Sequence, residues 1–418
     1  MKMRPEPWLL LFLAAAALAD GRPYELGGHT KLRVVGTSFP SGSLFRELAG
    51  ERSLDLEGDL RLNVKADPRR WTFSADYQLI GLYGDRVEYT RDLPSAAGLL
   101  VPRLPGDERR LFDLTGVVHD RGRSALLHRL DRLWAGYASE KAVIRVGRQA
   151  ISWGNGLFYA PMDLVNPFDP AAVDTEYKAG DDMLYVQYLQ DSGNDVQAAV
   201  VVRRDPLDGE VERRQGTAAA KYHGFAGGRE YDLLLAEHYG DLVAGLGGSV
   251  SPGGAVLRGD LVVTDTDTDT HLQLVANGSY SWTWRGRNMS GALEYHFNGF
   301  GQRDGRYDPA SLAGNPDLLA RLARGEAFTL GRHYLAGSVL VEMTPLWTVT
   351  PTVLVNVTDP SALLQLVTSF SLTDNMTFLG SLNVPIGPDG SEFGGIETGG
   401  DLYLSSGPGV FAQLAGYF

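Results

Sequence analysis

The sequence predicts an all-β fold: one transmembrane antiparallel β-barrel of about 18 strands, with 16 as the alternative count. Three observations carry this. Apolar and polar residues alternate with period two over segments of roughly ten residues, the length of a tilted membrane-crossing strand. The connections between these segments alternate between short turns and long loops. Beyond the N-terminal segment no stretch approaches about 18 uninterrupted apolar residues, and mean hydropathy is −0.14, which excludes a bundle of membrane helices.

Composition removes several functional classes. The 418 residues contain no cysteine. Disulfide scaffolds, Cys-ligated zinc, iron–sulfur clusters, thiol nucleophiles and covalent haem attachment through C-x-x-C-H are therefore excluded. A net charge of −13 argues against a nucleic-acid partner, because phosphate contacts need an excess of Lys and Arg. The 51 glycines suit tight turns and a closely coiled sheet.

The chain divides in two. Lys2 and Arg4 precede the apolar run Trp8–Ala17, and Ala17-Leu18-Ala19 is a small-x-small cleavage site. Residues 1–19 read as a secretory signal peptide, too short to span a bilayer. Residues 20–418 read as a single outer-membrane barrel domain.

Strands are expected near 29–38, 53–65, 70–83, 127–138, 142–150, 182–190, 195–204, 217–224, 229–238, 242–250, 255–264, 271–284, 288–299, 331–343, 347–357, 362–372, 375–385 and 402–418. Leu54 to Val64 sets the pattern, with even positions apolar or Gly and odd positions polar. Leu272 to Trp284 and Met289 to Phe297 repeat it across the turn Arg285-Gly286-Arg287. Merging one weak hairpin between 217 and 250 gives the count of 16. Long connections fall near 84–126, 151–181, 300–330 and 386–401. In the third, Asn315 caps a short helix, Pro316 suits its first position and Gly325 ends it. Trp71, Trp282, Trp284 and Trp347 sit beside the short turns, where Tyr417 and Phe418 also fall. Such rings favour the membrane interface and form girdles.

Two local patterns resemble known proteins. The final strand Val410–Phe418, ending on Phe418, resembles the assembly signal of Gram-negative outer-membrane barrels, although Gly416 departs from it. The segment Val146–Gly154 (VGRQAISWG), followed by Asp163-Leu164-Val165-Asn166-Pro167, resembles a signature of porin-like proteobacterial outer-membrane barrels. Leu330–Tyr334, Ser371–Asn375 and Ser391–Gly394 are similar to the same group, in patches from about 145 to 418. The GRQ…WG part is distantly similar to alginate-export barrels, which line their pores with Arg and Lys in an excess this chain lacks. The resemblance implies a Gram-negative outer membrane, contact with lipid and lipopolysaccharide, and insertion by the barrel-assembly machinery.

Strand parity selects lumen-facing candidates. His29, Lys31 and Arg33 fall on the inner face of the first strand, Asp55, Glu57, Asp59 and Arg61 on that of the second, and Asp76 and Gln78 on that of the third. Turns centred near 45 and 67 place Lys31 and Arg33 near Glu57 and Asp59, and Asp59 opposite Asp76. Opposed charges across a wall set a transverse field that orients solutes; the same residues also read as ion pairs that only satisfy a wet interior. Arg145 and Gln149 point inward at the base of loop 151–181, and Arg148 faces the rim unless a bulge intervenes. That loop is the candidate constriction, carrying Trp153, Asp163, Asn166, Asp169 and Asp174, with several prolines restricting its path. The alternative is an extracellular cap.

The run Thr264–Thr270 holds three carboxylates but lacks the spacing of a calcium loop, and reads as a solvated turn. There is no G-x-S-x-G, H-E-x-x-H or glycine-rich nucleotide loop, so the chain is not read as an enzyme and no cofactor is expected. The leading function is a porin-like channel for passive diffusion of small hydrophilic solutes or ions. The alternatives are a structural sheath or anchor for a partner, such as a periplasmic multihaem cytochrome in an electron conduit, and an assembly or adhesion barrel. Self-association into an oligomer is left open.

Overall fold

The computed structural model describes residues 24–93, 101 and 104–418. The expected signal peptide, 1–19, lies outside the described residues. Eighteen strands form the wall: β1 (Tyr24–Ser38), β2 (Arg52–Ala66), β3 (Trp71–Gly84), β4 (Ser124–Ala138), β5 (Ala142–Gln149), β6 (Asp181–Leu189), β7 (Asp195–Val201), β8 (Thr217–Ala226) and β9 (Arg229–His238). The second half comprises β10 (Asp241–Val250), β11 (Val256–Asp265), β12 (Thr270–Trp284), β13 (Arg287–Asn298), β14 (His333–Thr344), β15 (Trp347–Asn356), β16 (Ser361–Thr373), β17 (Met376–Ile386) and β18 (Gly409–Tyr417). Each pairs antiparallel with its neighbour in sequence, and β18 returns to β1 with His29 opposite Tyr417. Closure leaves no sheet edge in the bilayer. No helix among the described residues is long and apolar enough to cross a membrane.

All 18 expected strands are present. The last is shorter than expected, because Leu402–Leu404 pairs with Ile396–Gly399 in a separate ribbon and the wall resumes only after Pro408. The outer face is apolar: Leu32, Leu54, Leu233, Leu246, Leu293 and Leu366 are all exposed. Trp71, Trp284 and Trp347 are exposed on that face beside the short turns, as a girdle requires. Tyr417 is not part of it. Its hydroxyl donates to Glu176 at 2.9 Å and its ring packs against His29, so it faces inward.

The turn Arg285-Gly286 has φ of 51° and 76°, the two positive values of a tight two-residue hairpin. At the opposite end the long loops carry α1 (Leu44–Ala49), α2 (Asp85–Asp92), α3 (Pro309–Ala313) and α4 (Pro316–Arg324). Helix α4 forms as expected: the Asn315 side chain accepts from the Leu318 N–H and Gly325 adopts φ 70°. Leu318 is buried with Phe300, Tyr307, Leu312 and Leu330, so the helix sits as a lid on its own small core. The expected solvated turn Thr264–Thr270 is instead docked on this lid. Thr266 and Thr268 donate to the Asp317 carboxylate, which also meets His271 Nε2 at 2.7 Å.

The interior carries a second core. Ile151, Trp153, Met162, Leu164 and Val165 of loop 150–180 pack on inward Ala199, Val201, Ala219, Leu234, Ala236, Val243 and Val262. Strands β7 to β11 have small apolar residues on their inner face because this loop covers them.

Candidate functional site

The first arc of the inner wall is a network of charges. Lys31 lies opposite Asp59 and Arg33 opposite Glu57, as expected. Asp59 does not face Asp76. The β2–β3 turn runs through Asp67–Arg70, with Arg69 at φ 60°, so Asp59 lies opposite Ile80 and Asp76 opposite Asn63. Diagonal contacts restore the pairing: Gln78 Nε2 donates to Asp59 at 2.9 Å and Arg61 donates to Asp76 at 3.2 Å. Arg61 also donates to Asp131 at 2.8 Å, as do Arg129 at 2.6 Å and Arg132 at 2.7 Å.

Sequence reasoning missed Asp131. The β3–β4 register shifts there, so Asp131 is an extra residue in β4 and it and Arg132 both point inward. The polar pair Asp131-Arg132 interrupts the alternation of β4, and that interruption is the legible signal. Asp55 accepts the Arg86 N–H at 2.8 Å and so anchors α2. Arg33 pairs with Glu57 and also meets Asp174 at 2.9 Å. The wall charges are thus largely committed to one another.

On β5, Arg145 lies over the Tyr185 ring at 4.7 Å, and no carboxylate among the described residues pairs with it. Gln149 donates to the Met183 carbonyl at 3.4 Å. Arg148 occupies the opposite face near the rim, where it pairs with Asp182 at 3.0 Å and Asp107 at 2.9 Å. Asp107 lies in the loop between β3 and β4. Burial alone would raise its carboxyl, but Arg148 and Arg110 push it down to about 2. The arm Thr115–Arg121 of the same loop pairs with the upper half of β4, alongside the short β5.

Loop 150–180 enters the lumen, and wall carboxylates dictate its path. Trp153 Nε1 donates to Gln197 of β7 at 2.7 Å. Asn155 gives its backbone and side-chain N–H groups to Asp260 of β11, at 2.7 and 2.8 Å. Glu294 of β13, fully buried, accepts the backbone N–H groups of Leu157, Phe158 and Tyr159 at 2.6, 3.0 and 2.7 Å. The loop then doubles back: Asp163 pairs with Lys178 at 2.6 Å. Burial raises the Asp163 carboxyl to about 6 and lowers Lys178, each opposed by the other's charge.

From there the loop crosses the lumen. Asn166 donates to the carbonyls of Ala179 and Gly180, beside β6, at 3.3 and 3.5 Å. Five residues later the Ala171 carbonyl accepts from Gln365 of β16 at 3.0 Å. Strands β6 and β16 lie nearly opposite each other in the closed order. The segment links these two walls through a turn at Asp169–Ala172, where the Ala172 N–H donates to the Asp169 carbonyl at 3.0 Å. Pro167–Pro170 is therefore a strut across the lumen. Further on, Asp174 meets Lys31 at 2.7 Å, and the Tyr177 ring lies 4.1 Å from the Arg61 guanidinium.

Of the five loop candidates, Trp153 and Asp163 are buried, Asn166 is tied to backbone and Asp174 is ion-paired. Asp169 alone is exposed, on the strut beside exposed Phe168. Its carboxyl is raised, chiefly by the protein around it, and is drawn back by the Ala171 N–H it accepts at 2.8 Å. That combination fits a group projecting into lumen water rather than bulk solvent.

No protein-family model and no curated protein matches the sequence. Solved structures share its fold. A BenF-like porin from Pseudomonas fluorescens Pf-5 aligns at TM-score 0.51 and 9 % identity, over 94 % of this chain and 98 % of its own. Acinetobacter baumannii OccAB4 aligns at 0.52 and 9 % identity, over 96 % and 99 %. Wzi, an Escherichia coli outer membrane protein involved in group 1 capsule assembly and described as a carbohydrate-binding β-barrel, aligns at 0.50 and 11 % identity, over 97 % and 86 %. At these identities the likeness is one of fold, and the chain has the closed 18-stranded fold of the porin-like outer-membrane barrels.

Proposed function

We propose that the protein is a porin-like channel that lets small hydrophilic solutes or ions diffuse across the outer membrane of a Gram-negative cell, with a preference for cations. The observation that supports this is the path of loop 150–180 through the lumen with Asp169 exposed on it, in a barrel whose wall charges are otherwise mostly paired. A fixed exposed carboxylate at a narrowing sets ion preference. The strut also argues against the sheath reading, since a crossed lumen does not accommodate an enclosed cytochrome. On this reading the apolar band contacts lipid and lipopolysaccharide, and the barrel-assembly machinery inserts the chain. No chemical step is assigned.

Purified protein reconstituted in a planar bilayer is the test. The channel reading expects stepwise conductance, with a reversal potential under a KCl gradient that reports cation preference. Reproducible absence of conductance from heat-modifiable, folded protein overturns it.

A further inference from the structure

The segment between β13 and β14 forms a lid over the long-loop end of the lumen. Its two stems run side by side. The Gln302 N–H donates to the Leu330 carbonyl at 2.7 Å, and a Cβ on Gly301 would lie 1.8 Å from the Gly331 carbonyl oxygen. Beyond the stems the lid reaches over the inward loop, leaving a void of about 60 Å³ among Phe328 of the lid, Phe168 of the strut and His296 of β13.

The two sides of the lid are held differently. At the stems, Phe300, Tyr307, Leu312, Leu318 and Leu330 form an apolar core within the segment itself. The far side meets the wall through charged groups. Asp317 of α4 meets His271 of β12 at 2.7 Å, Glu326 meets His238 of β9 at 3.0 Å, and Arg321 of α4 meets Asp241 of β10 at 3.9 Å. Thr266 and Thr268 of the β11–β12 turn also donate to Asp317.

The closed contact is under-satisfied. Arg321 meets Glu326 at 3.5 Å and Asp241 at 3.9 Å, too far for good hydrogen bonds. Nη2 of Arg321, Oε2 of Glu326 and Nδ1 of His296 below them are buried with no hydrogen-bond partner among the described residues. Polar atoms left in this state oppose closure, and opening returns them to water. The pairs Asp317–His271 and Arg321–Asp241 keep 10 to 19 % of their side-chain surface exposed, so water competes for both partners and each pair holds weakly. We propose that the lid swings open about its stems, releasing its contacts with β9, β10 and β12, and so gates the mouth of the barrel. The gating role rests on the channel reading, whereas the motion does not.

The chain has no cysteine, so spin labels can be placed at will. Nitroxides at Ala323→Cys on α4 and Ser251→Cys in the β10–β11 turn, both exposed and at opposite ends of the barrel, report the height of the lid. Double electron–electron resonance on the full folded chain in lipid nanodiscs expects two distance populations, the longer from the open lid. Asp317→Ala enriches the longer population about threefold, the weight of one partly exposed ion pair. Raising NaCl from about 0.1 to about 1 M enriches it in the labelled parent without any latch substitution, because salt screens exposed charges. A heat-shifted gel mobility shows that each variant is folded. The proposal is overturned by a single distance in the parent at both salt concentrations, or by a folded Asp317→Ala variant with the distribution of the parent. Two populations in a protein that never conducts leave the motion standing and overturn the channel reading. Conductance with one fixed distance overturns the lid and leaves the channel reading standing.

Discussion

Glu294 of the barrel wall anchors Tyr159 of the inward loop, and its strand neighbour His296 does so again. Its carboxylate accepts the Tyr159 N–H at 2.7 Å, and two residues further along β13 the His296 ring stacks on the Tyr159 ring at 4.7 Å. The same carboxylate takes two more backbone N–H groups and the Asn277 amide. Glu294→Ala leaves three N–H groups without their acceptor, at about 1–3 kcal/mol for each that water cannot reach. The segment 157–159 then loses its polar anchor on the wall. Single-channel recordings should show larger, noisier conductance than the parent, with Glu294→Gln intermediate because one oxygen remains to accept.

Asp169 should govern ion preference. Asp169→Asn removes the exposed lumen carboxylate while keeping its shape, and the cation-to-anion permeability ratio should fall about twofold or more. The reversal potential in a KCl gradient measures this. Because surrounding protein raises this carboxyl, the parent loses cation preference on acidification at a higher pH than an ordinary aspartate would impose. The Asn variant should show no such step. A ratio unchanged by the substitution would assign selectivity elsewhere.

The strand count was legible because the side-chain period of a β-strand is a property of the backbone, and each strand reports it independently of the others. Register was less legible: one turn centred about two residues later than expected moved Asp59 from Asp76 to Ile80. The path of the inward loop was not legible at all. Asn155 and Asp260 are 105 residues apart, and no local period encodes such a contact. Parity separated inside from outside well enough to find Lys31, Arg33, Glu57 and Arg61. It could not tell a charge that faces water from one already paired, which is why Asp163 and Asp169 looked alike in sequence and differ in space.

Asp131 should be the costliest single wall residue to neutralise. It is 2 % exposed, and three arginines, Arg61, Arg129 and Arg132, converge on it. Breaking a buried ion pair by removing one partner costs about 3–5 kcal/mol. Asp131→Asn leaves Arg129 without its carboxylate and Arg61 with Asp76 alone. The temperature at which the folded gel band converts to the unfolded one should drop clearly. Asp55→Asn, at the half-buried rim, should shift it far less. Equal shifts would mean that the hub adds nothing beyond an ordinary rim contact.

Glu392 should make the extracellular loops sensitive to pH. It lies in the loop between β17 and β18, where its carboxylate accepts from Asn356 at 2.6 Å, from the Leu330 N–H at 3.1 Å and from the Tyr334 hydroxyl. Tyr307 and Asp359 face the same cluster, and no cation does so among the described residues. Burial therefore raises the carboxyl from 4.5 to about 7. A carboxyl held higher in the folded chain than in the unfolded one binds more protons when folded. Its contribution to holding the loop is full below about 4.5 and is lost as pH rises through about 7. Hydrogen exchange of residues 388–395 should accelerate between pH 5 and pH 8 beyond the intrinsic base-catalysed increase. In Glu392→Gln, which keeps the hydrogen-bonding shape without the titration, only the intrinsic increase should remain. If parent and variant show the same excess over that window, another group carries the sensitivity.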